Sequence, residues 1–222
     1  MPPLTIVHIV RHGETEENLK MIMQGQLDTE LNATGREQAK LVASALRHEA
    51  LNKAYSSDLS RARELIEDKA LRERASGFGP TPHQQHLGSL QGKPVGTPHS
   101  ANDPLFESHE QLAVRALAWW DQYIVAPAKS RQPGQVRVLV VSHGGFIGTL
   151  VKALVSNGRA SVAPGVSVQK RALNVSITTV EVGKTDAGKI RGLITRYADT
   201  THLDTAEAVG VVQANADELV RE

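Results

Sequence analysis

Two short runs of mostly apolar, β-branched residues end in the same kind of word. Leu4 to Val10 (LTIVHIV) leads into Arg11-His12-Gly13, and Val136 to Val141 (VRVLVV) leads into Ser142-His143-Gly144-Gly145. Such near-continuous apolar runs predict strands buried on both faces. A sheet made of them needs helices on either side. The intervening segments offer these over Glu14 to Met23, Arg36 to Glu49, Leu59 to Arg74, Gln111 to Ile124 and Phe146 to Val155. Thr34 and Glu37 fit a capping box at the start of the second. Trp119 and Trp120 are expected in the core. Ala54 to Ser57 reads as the end of a further strand. Leu173 to Val182 and Lys189 to Tyr197 read as two more, joined by a turn at Asp186-Ala187-Gly188 and forming an edge hairpin. Alternating strands and helices predict an α/β fold, a three-layer αβα sandwich with a mostly parallel sheet. The Gly-, Pro-, His- and Gln-rich stretch from Ser76 to Pro104 lacks periodicity and reads as an excursion over the active face. The expected organisation is one domain over 1–222 with a short, loop-rich, cap-like insertion at about 76–110.

Composition narrows the chemistry. The 222 residues carry a formal net charge of +1, and 40% are hydrophobic. Near-neutrality provides no field for nucleic acid or an anionic membrane. The chain has no cysteine, so disulfides, thiolate metal sites and cysteine nucleophiles are excluded. No signal peptide and no membrane-spanning run is expected, and the default location is cytoplasmic. Sequence does not set the oligomeric state.

If the two His-bearing strands are neighbours, His12 and His143 meet at the carboxyl edge of the sheet, where open α/β folds bind ligands. Glycine after each histidine lets backbone approach a ligand closely. The helices that follow present N–H groups and positive dipole ends, a natural anion site. Arg11 and Arg61 add guanidiniums whose planar fork matches phosphate oxygens. Two imidazoles, two guanidiniums and no neighbouring carboxylate predict a site for a phosphoryl group and no metal.

Further blocks are arranged in order along the chain. Arg11 to Asn18 reads RHGETEEN. Gln24-Gly25 and Asp28 precede Leu31-Asn32-Ala33-Thr34-Gly35. Tyr55 to Ala62 reads YSSDLSRA, Gly88 to Gly92 reads GSLQG, and Val141 to Gly145 reads VSHGG. Together these blocks resemble the histidine phosphatase superfamily, in its phosphoglycerate mutase-like branch, with small broad-specificity fungal phosphatases as the nearest likeness. The resemblance covers about four fifths of the chain. It implies a phosphoglycerate mutase-like fold and a phosphomonoester hydrolase without cofactor, acting on small phosphorylated metabolites and releasing inorganic phosphate. It implies that His12 is the nucleophile, and that Arg11, Arg61 and His143 stabilise charge on the equatorial oxygens. Asn18, Gln24, Gly25 and Gly144 then line the bound substrate.

One position departs from the family. Its acid is a glutamate four residues before the glycine of the GxLQG-like loop, and counting back from Gly88 gives Gln84. An amide cannot protonate a leaving oxygen, a step worth roughly 10²–10⁴-fold in rate. Gln84 at that position is the preferred reading. The runner-up is a shifted loop with Glu73, in Leu71-Arg72-Glu73-Arg74, as the acid. Glu14 and Glu107 are other candidates, and Glu107-Ser108 also resembles a family position near the site. The alternatives to hydrolysis are a mutase-type transfer or a weakly active binder of phosphorylated ligands. His83, His86 and His99 are read as exposed loop residues and not as metal ligands.

Overall fold

A computed structural model gives the fold and describes residues 3–63, 66–75, 106–130 and 136–204. Seven strands form one sheet in the order β3-β2-β4-β1-β6-β7-β5. These are β1 (Thr5–Arg11), β2 (Lys53–Ser56), β3 (Ile66–Glu67), β4 (Val136–Ser142), β5 (Ala160–Val162), β6 (Ile177–Lys184) and β7 (Ile190–Asp199). The pairings β3–β2, β2–β4, β4–β1 and β5–β7 are parallel, while β1–β6 and β6–β7 are antiparallel. The sheet is therefore mostly parallel, as the alternating pattern predicts. The expected edge hairpin is β6–β7, but it does not end the sheet. Short β5, which the pattern reading missed, pairs outside β7.

The helices are α1 (Glu16–Leu19), α2 (Ala33–Leu46), α3 (His109–Trp120) and α4 (Gly144–Ser156). Alternate residues of the central strands point to opposite faces. Val7 and Ile9 of β1 and Val138 and Val140 of β4 join Leu112, Trp119, Phe146 and Leu150 in the larger core under α3 and α4. On the other face, Val10 packs with Val42, Leu46, Val175 and Ile177 beneath α2. Both tryptophans are buried, as expected. Beyond Trp120, α3 widens into a π turn over Asp121–Val125 and resumes over Ala126–Lys129.

Three sequence-based expectations are corrected. The helix expected over Leu59 to Arg74 is replaced by 3-10 turns at Ser60–Ala62 and Lys69–Leu71 with β3 between them. Pairing of β3 with Tyr55 and Ser56, and the Asp68 N–H donated to the Ser56 carbonyl at 2.8 Å, override local helix propensity. The first helix is short. Thr15 caps it in a box with Asn18, and Met21 ends it in the left-handed region at φ 58°. For α2 the cap is Asn32, whose side chain accepts from Gly35 N–H at 2.8 Å, and not Thr34.

The missing crossover helix leaves one flank of the sheet thinly covered. Leu139 and Val141 of β4 are only half-buried, and a cavity of about 500 Å³ lies between them and Ala39, Val42, Ala43 and Leu46 of α2. The opposite end of α2 is tight. A Cβ on Gly35 would overlap the Glu14 backbone, whereas one on Gly148 in α4 would meet only the Tyr197 hydroxyl at 3.8 Å. Gly35→Ala is therefore expected to lose roughly 1–3 kcal/mol of stability in urea. Gly148→Ala is expected to gain about 0.5–1 kcal/mol from helix propensity. Equal effects of the two substitutions would contradict this packing.

Candidate active site

Strands β1 and β4 lie side by side in register, with Arg11 opposite Ser142. The next residues, His12 and His143, are thereby brought together. Their ring centroids are 5.1 Å apart in an edge-to-face arrangement, and both rings are buried. His12 Nδ1 lies 2.7 Å from the Gly13 carbonyl oxygen. A carbonyl only accepts, so Nδ1 carries the proton and Nε2 keeps its lone pair. Arg61 Nε donates toward that Nε2 at 3.3 Å.

Arg61 is buried at the C-terminal side of β2. Its guanidinium donates to the carbonyl oxygens of Gly25, at 2.8 Å, and Leu27. Gly25 adopts φ 49°, a conformation that favours glycine, and its carbonyl holds Arg61. Gln24 is buried beside it and accepts from the Thr29 hydroxyl. Of the two residues expected at the substrate, Gly25 holds the arginine directly and Gln24 is linked to it through Thr29, whose hydroxyl lies 3.5 Å from Arg61 Nη1. Arg11 is fully buried and donates to the Ala172 carbonyl at 2.9 Å. A Cβ on Gly144 would stand 3.3–3.4 Å from that guanidinium, so glycine lets Arg11 lie against the start of α4. His143 is the N-cap of that helix and Gly144 its first residue.

Sequence reasoning missed Asn174. Its Nδ2 donates to the His12 carbonyl at 3.0 Å and to Asn18 Oδ1 at 3.2 Å. Asn18 is buried and reaches the centre through this bridge while closing the α1 capping box. Val175, held at φ 54°, donates its N–H to the carbonyls of Arg11 and His12. The 172–175 turn therefore fixes the backbone of both catalytic candidates. An asparagine just before an apolar strand offered no signal to find it.

Carboxylates are placed differently from expectation. Glu14 accepts from Asn32 Nδ2 at 2.9 Å, and Glu107 is gripped by Arg115. Glu73 is buried, and its Oε2 accepts from Gly145 N–H at 2.8 Å, so a carboxylate does come to the segment that carries His143. Gln84, His83, His86 and His99 lie outside the described residues, as does most of the cap-like insertion. Among the described residues no group of three or more His, Asp or Glu is arranged to hold a metal, and no helix is long and apolar enough to cross a membrane.

Burial, followed by Arg61 and Arg11, holds His12 well below its ordinary value of 6.5. Burial, followed by Arg61 and His12, does the same to His143. Both rings are neutral near pH 7, which suits a nucleophile at His12. An imidazolium at His143, the more useful form for holding an anion, then requires a bound negative charge.

Two buried guanidiniums, two imidazoles and the N-terminus of α4 meet at the carboxyl ends of the parallel pair β1–β4, an arrangement that suits a phosphoryl group. The comparisons agree. The family model of the histidine phosphatase superfamily (branch 1) matches residues 7–188. A Schizosaccharomyces pombe protein named as a probable phosphatase is 31% identical over 209 residues, 90% of this chain and 96% of its own. A probable phosphoglycerate mutase GpmB from Photorhabdus laumondii is 30% identical over 219 residues, 90% and 95% of the two chains. The solved mycobacterial glucosyl-3-phosphoglycerate phosphatase superposes with a TM-score of 0.63 at 25% identity, covering 88% of this chain and 99% of that one. The chain belongs to the histidine phosphatase superfamily, and it is a phosphatase.

The unfolded chain protonates its histidines near pH 6.5, whereas His12 and His143 in the folded protein take up protons only well below that. Between these limits the unfolded state binds more protons, so their contribution to stability falls as pH drops below 6.5. Ring resonances of both residues, followed by NMR in the free protein, should stay at neutral positions through pH 6.5. Inorganic phosphate should move both titrations upward. A ring that titrates at or above 6.5 without ligand would contradict this electrostatic picture.

Proposed function

We propose that this chain hydrolyses phosphomonoesters of small, soluble, cytoplasmic metabolites through a phosphohistidine on His12. One observation carries the reading: a buried neutral imidazole, its Nδ1–H fixed on a carbonyl, presents Nε2 between Arg61 and His143. In the first step the Nε2 lone pair attacks phosphorus in line with the leaving oxygen, and the P–O ester bond breaks as the N–P bond forms. Arg11, Arg61 and His143 take up the charge on the three equatorial oxygens. In the second step water attacks phosphorus, the N–P bond breaks, and inorganic phosphate leaves with His12 restored.

The leaving alkoxide needs a proton. Glu73 is the described residue that supports this role best, because its carboxylate is buried against the N-terminus of the helix that His143 caps. This favours the shifted-loop reading over Gln84. The carboxyl proton passes to the leaving oxygen, and the carboxylate then accepts a proton from the attacking water. The small phosphorylated substrates of the structural relatives support the substrate class.

A panel of phosphomonoesters tests the proposal. Trapping with radiolabelled phosphate should mark His12, and His12→Ala should remove both label and turnover. Glu73→Gln should lose about 10²–10⁴-fold on alkyl phosphates and far less on aryl phosphates, whose leaving groups need no proton. Gln84→Glu should then bring little gain. Full activity in His12→Ala would reject the nucleophile. A large gain in Gln84→Glu, with no loss in Glu73→Gln, would return the acid to the loop.

A further inference from the structure

We propose that Arg115 is a positioning residue that sets the Glu73 carboxylate against α4. The inference rests on the reading of Glu73 as the proton donor. Glu73 belongs to no helix and to no strand. It lies just beyond a 3-10 turn at Lys69–Leu71, so its place must come from contacts to the chain around it.

Arg115 makes those contacts. It stands on α3, and its Nε and Nη2 donate to the two oxygens of Glu107 at 2.7 and 2.6 Å. Its Nη1 donates to the carbonyls of Ala70 at 2.9 Å and Arg72 at 3.0 Å, and Nη2 also reaches the Glu73 carbonyl at 3.5 Å. One planar group thus reads the carbonyl edge of 70–73. The same guanidinium lies 5.8 Å over the ring of Phe146, the residue after Gly145. It therefore touches both sides of the Glu73–Gly145 contact, the backbone that carries the carboxylate and the helix that receives it.

Glu107 completes the clamp. Its N–H donates to the Ala75 carbonyl at 2.8 Å, and its Oε2 accepts from Ala75 N–H at 3.3 Å. Arg74 Nη1 donates to the Glu107 carbonyl at 3.3 Å. The segment before Ser76 and the segment after Leu105 are pinned together at this pair. From the other side, Gln26 Nε2 donates to the Glu73 carbonyl at 3.0 Å. Lysine cannot replace the arginine, because an ammonium offers a point charge where five coplanar N–H donors are needed.

The fit at the far end is close. A Cβ on Gly145 would stand 2.5 Å from Glu73 Oε1. A small shift of the 70–73 backbone therefore moves the carboxylate off its helix. The expected damage is selective. It falls on proton delivery to the leaving oxygen and not on phosphate capture by Arg11, Arg61 and His12.

The experiment measures kcat and KM for phosphomonoesters spanning a wide range of leaving-group pKa, in the full chain and in Arg115→Lys, Glu107→Gln, Glu73→Gln and the Arg115→Lys/Glu73→Gln double variant. For alkyl phosphates, Arg115→Lys and Glu107→Gln should each lower kcat by about 10- to 100-fold with KM little changed, within the span that general-acid catalysis contributes. For aryl phosphates the loss should be about threefold or less, so the dependence on leaving-group pKa steepens as in Glu73→Gln. In the double variant the alkyl loss should match Glu73→Gln alone, because both changes remove one function. A uniform loss across leaving groups, or multiplying losses in the double variant, overturns the proposal and assigns Arg115 to general stability. A flat Glu73→Gln profile overturns the acid reading and this proposal together. A steep Glu73→Gln profile beside a flat Arg115→Lys profile overturns this proposal alone. If Arg115→Lys fails to fold, Glu107→Gln carries the same comparison.

Discussion

The site is built around buried positive charge. Removing a guanidinium from water is costly unless each N–H finds an acceptor. Arg61 meets that demand on the carbonyls of Gly25 and Leu27, and Arg11 does so in part on that of Ala172. Carbonyl dipoles satisfy the donors while leaving positive potential in the pocket. Both imidazoles stay neutral in that potential, which a tetrahedral anion would neutralise. The arrangement is preorganised, so little rearrangement is needed when charge develops on a phosphoryl group.

The loops around the centre are easier to understand from this demand. The 24–29 segment turns back so that its carbonyls face one arginine, and the 172–175 turn does the same for the other. Val175 in the left-handed region is the visible strain of that arrangement, while glycine at 25 adopts its positive φ without cost. Asn174 ties the second turn to the His12 carbonyl and to Asn18, so His12, turn and first helix form one hydrogen-bonded unit.

Much of this was legible in the sequence, and the reasons are specific. Buried parallel strands have a strong pattern, so β1 and β4 and the histidines after them stood out. The pairing of those strands then fixed His12 against His143. Arg61 was singled out through its block and lies beside His12, yet the helix expected to carry it is replaced by turns, because two residues of edge pairing in β3 outweighed an apolar period. Glu73 ranked second because its contact with Gly145, 72 positions away, is one that no local pattern encodes. Asn174 and Arg115 act through backbone carbonyls, and carbonyls leave no trace in side-chain chemistry. Gln24 and Gly25 sit beside Arg61, where Gly25 offers it a carbonyl and Gln24 accepts from Thr29.

The short link between β2 and β3 has a consequence for how this fold can be altered. Among the described residues no crossover helix roofs the sheet between the Arg61 turn and the edge strand β3, and apolar strand and helix surfaces face a gap. Arg61 is held from the 24–29 segment through the Gly25 and Leu27 carbonyls, while the turn that carries it is tied to the chain beyond Arg63 by the Arg72–Asp58 ion pair. The same gap is lined by His12 and Arg61 as well as by Leu139, Val141 and α2, so a helix grafted between Arg63 and Ile66 would gain ready-made apolar neighbours and at the same time form a new wall of the site.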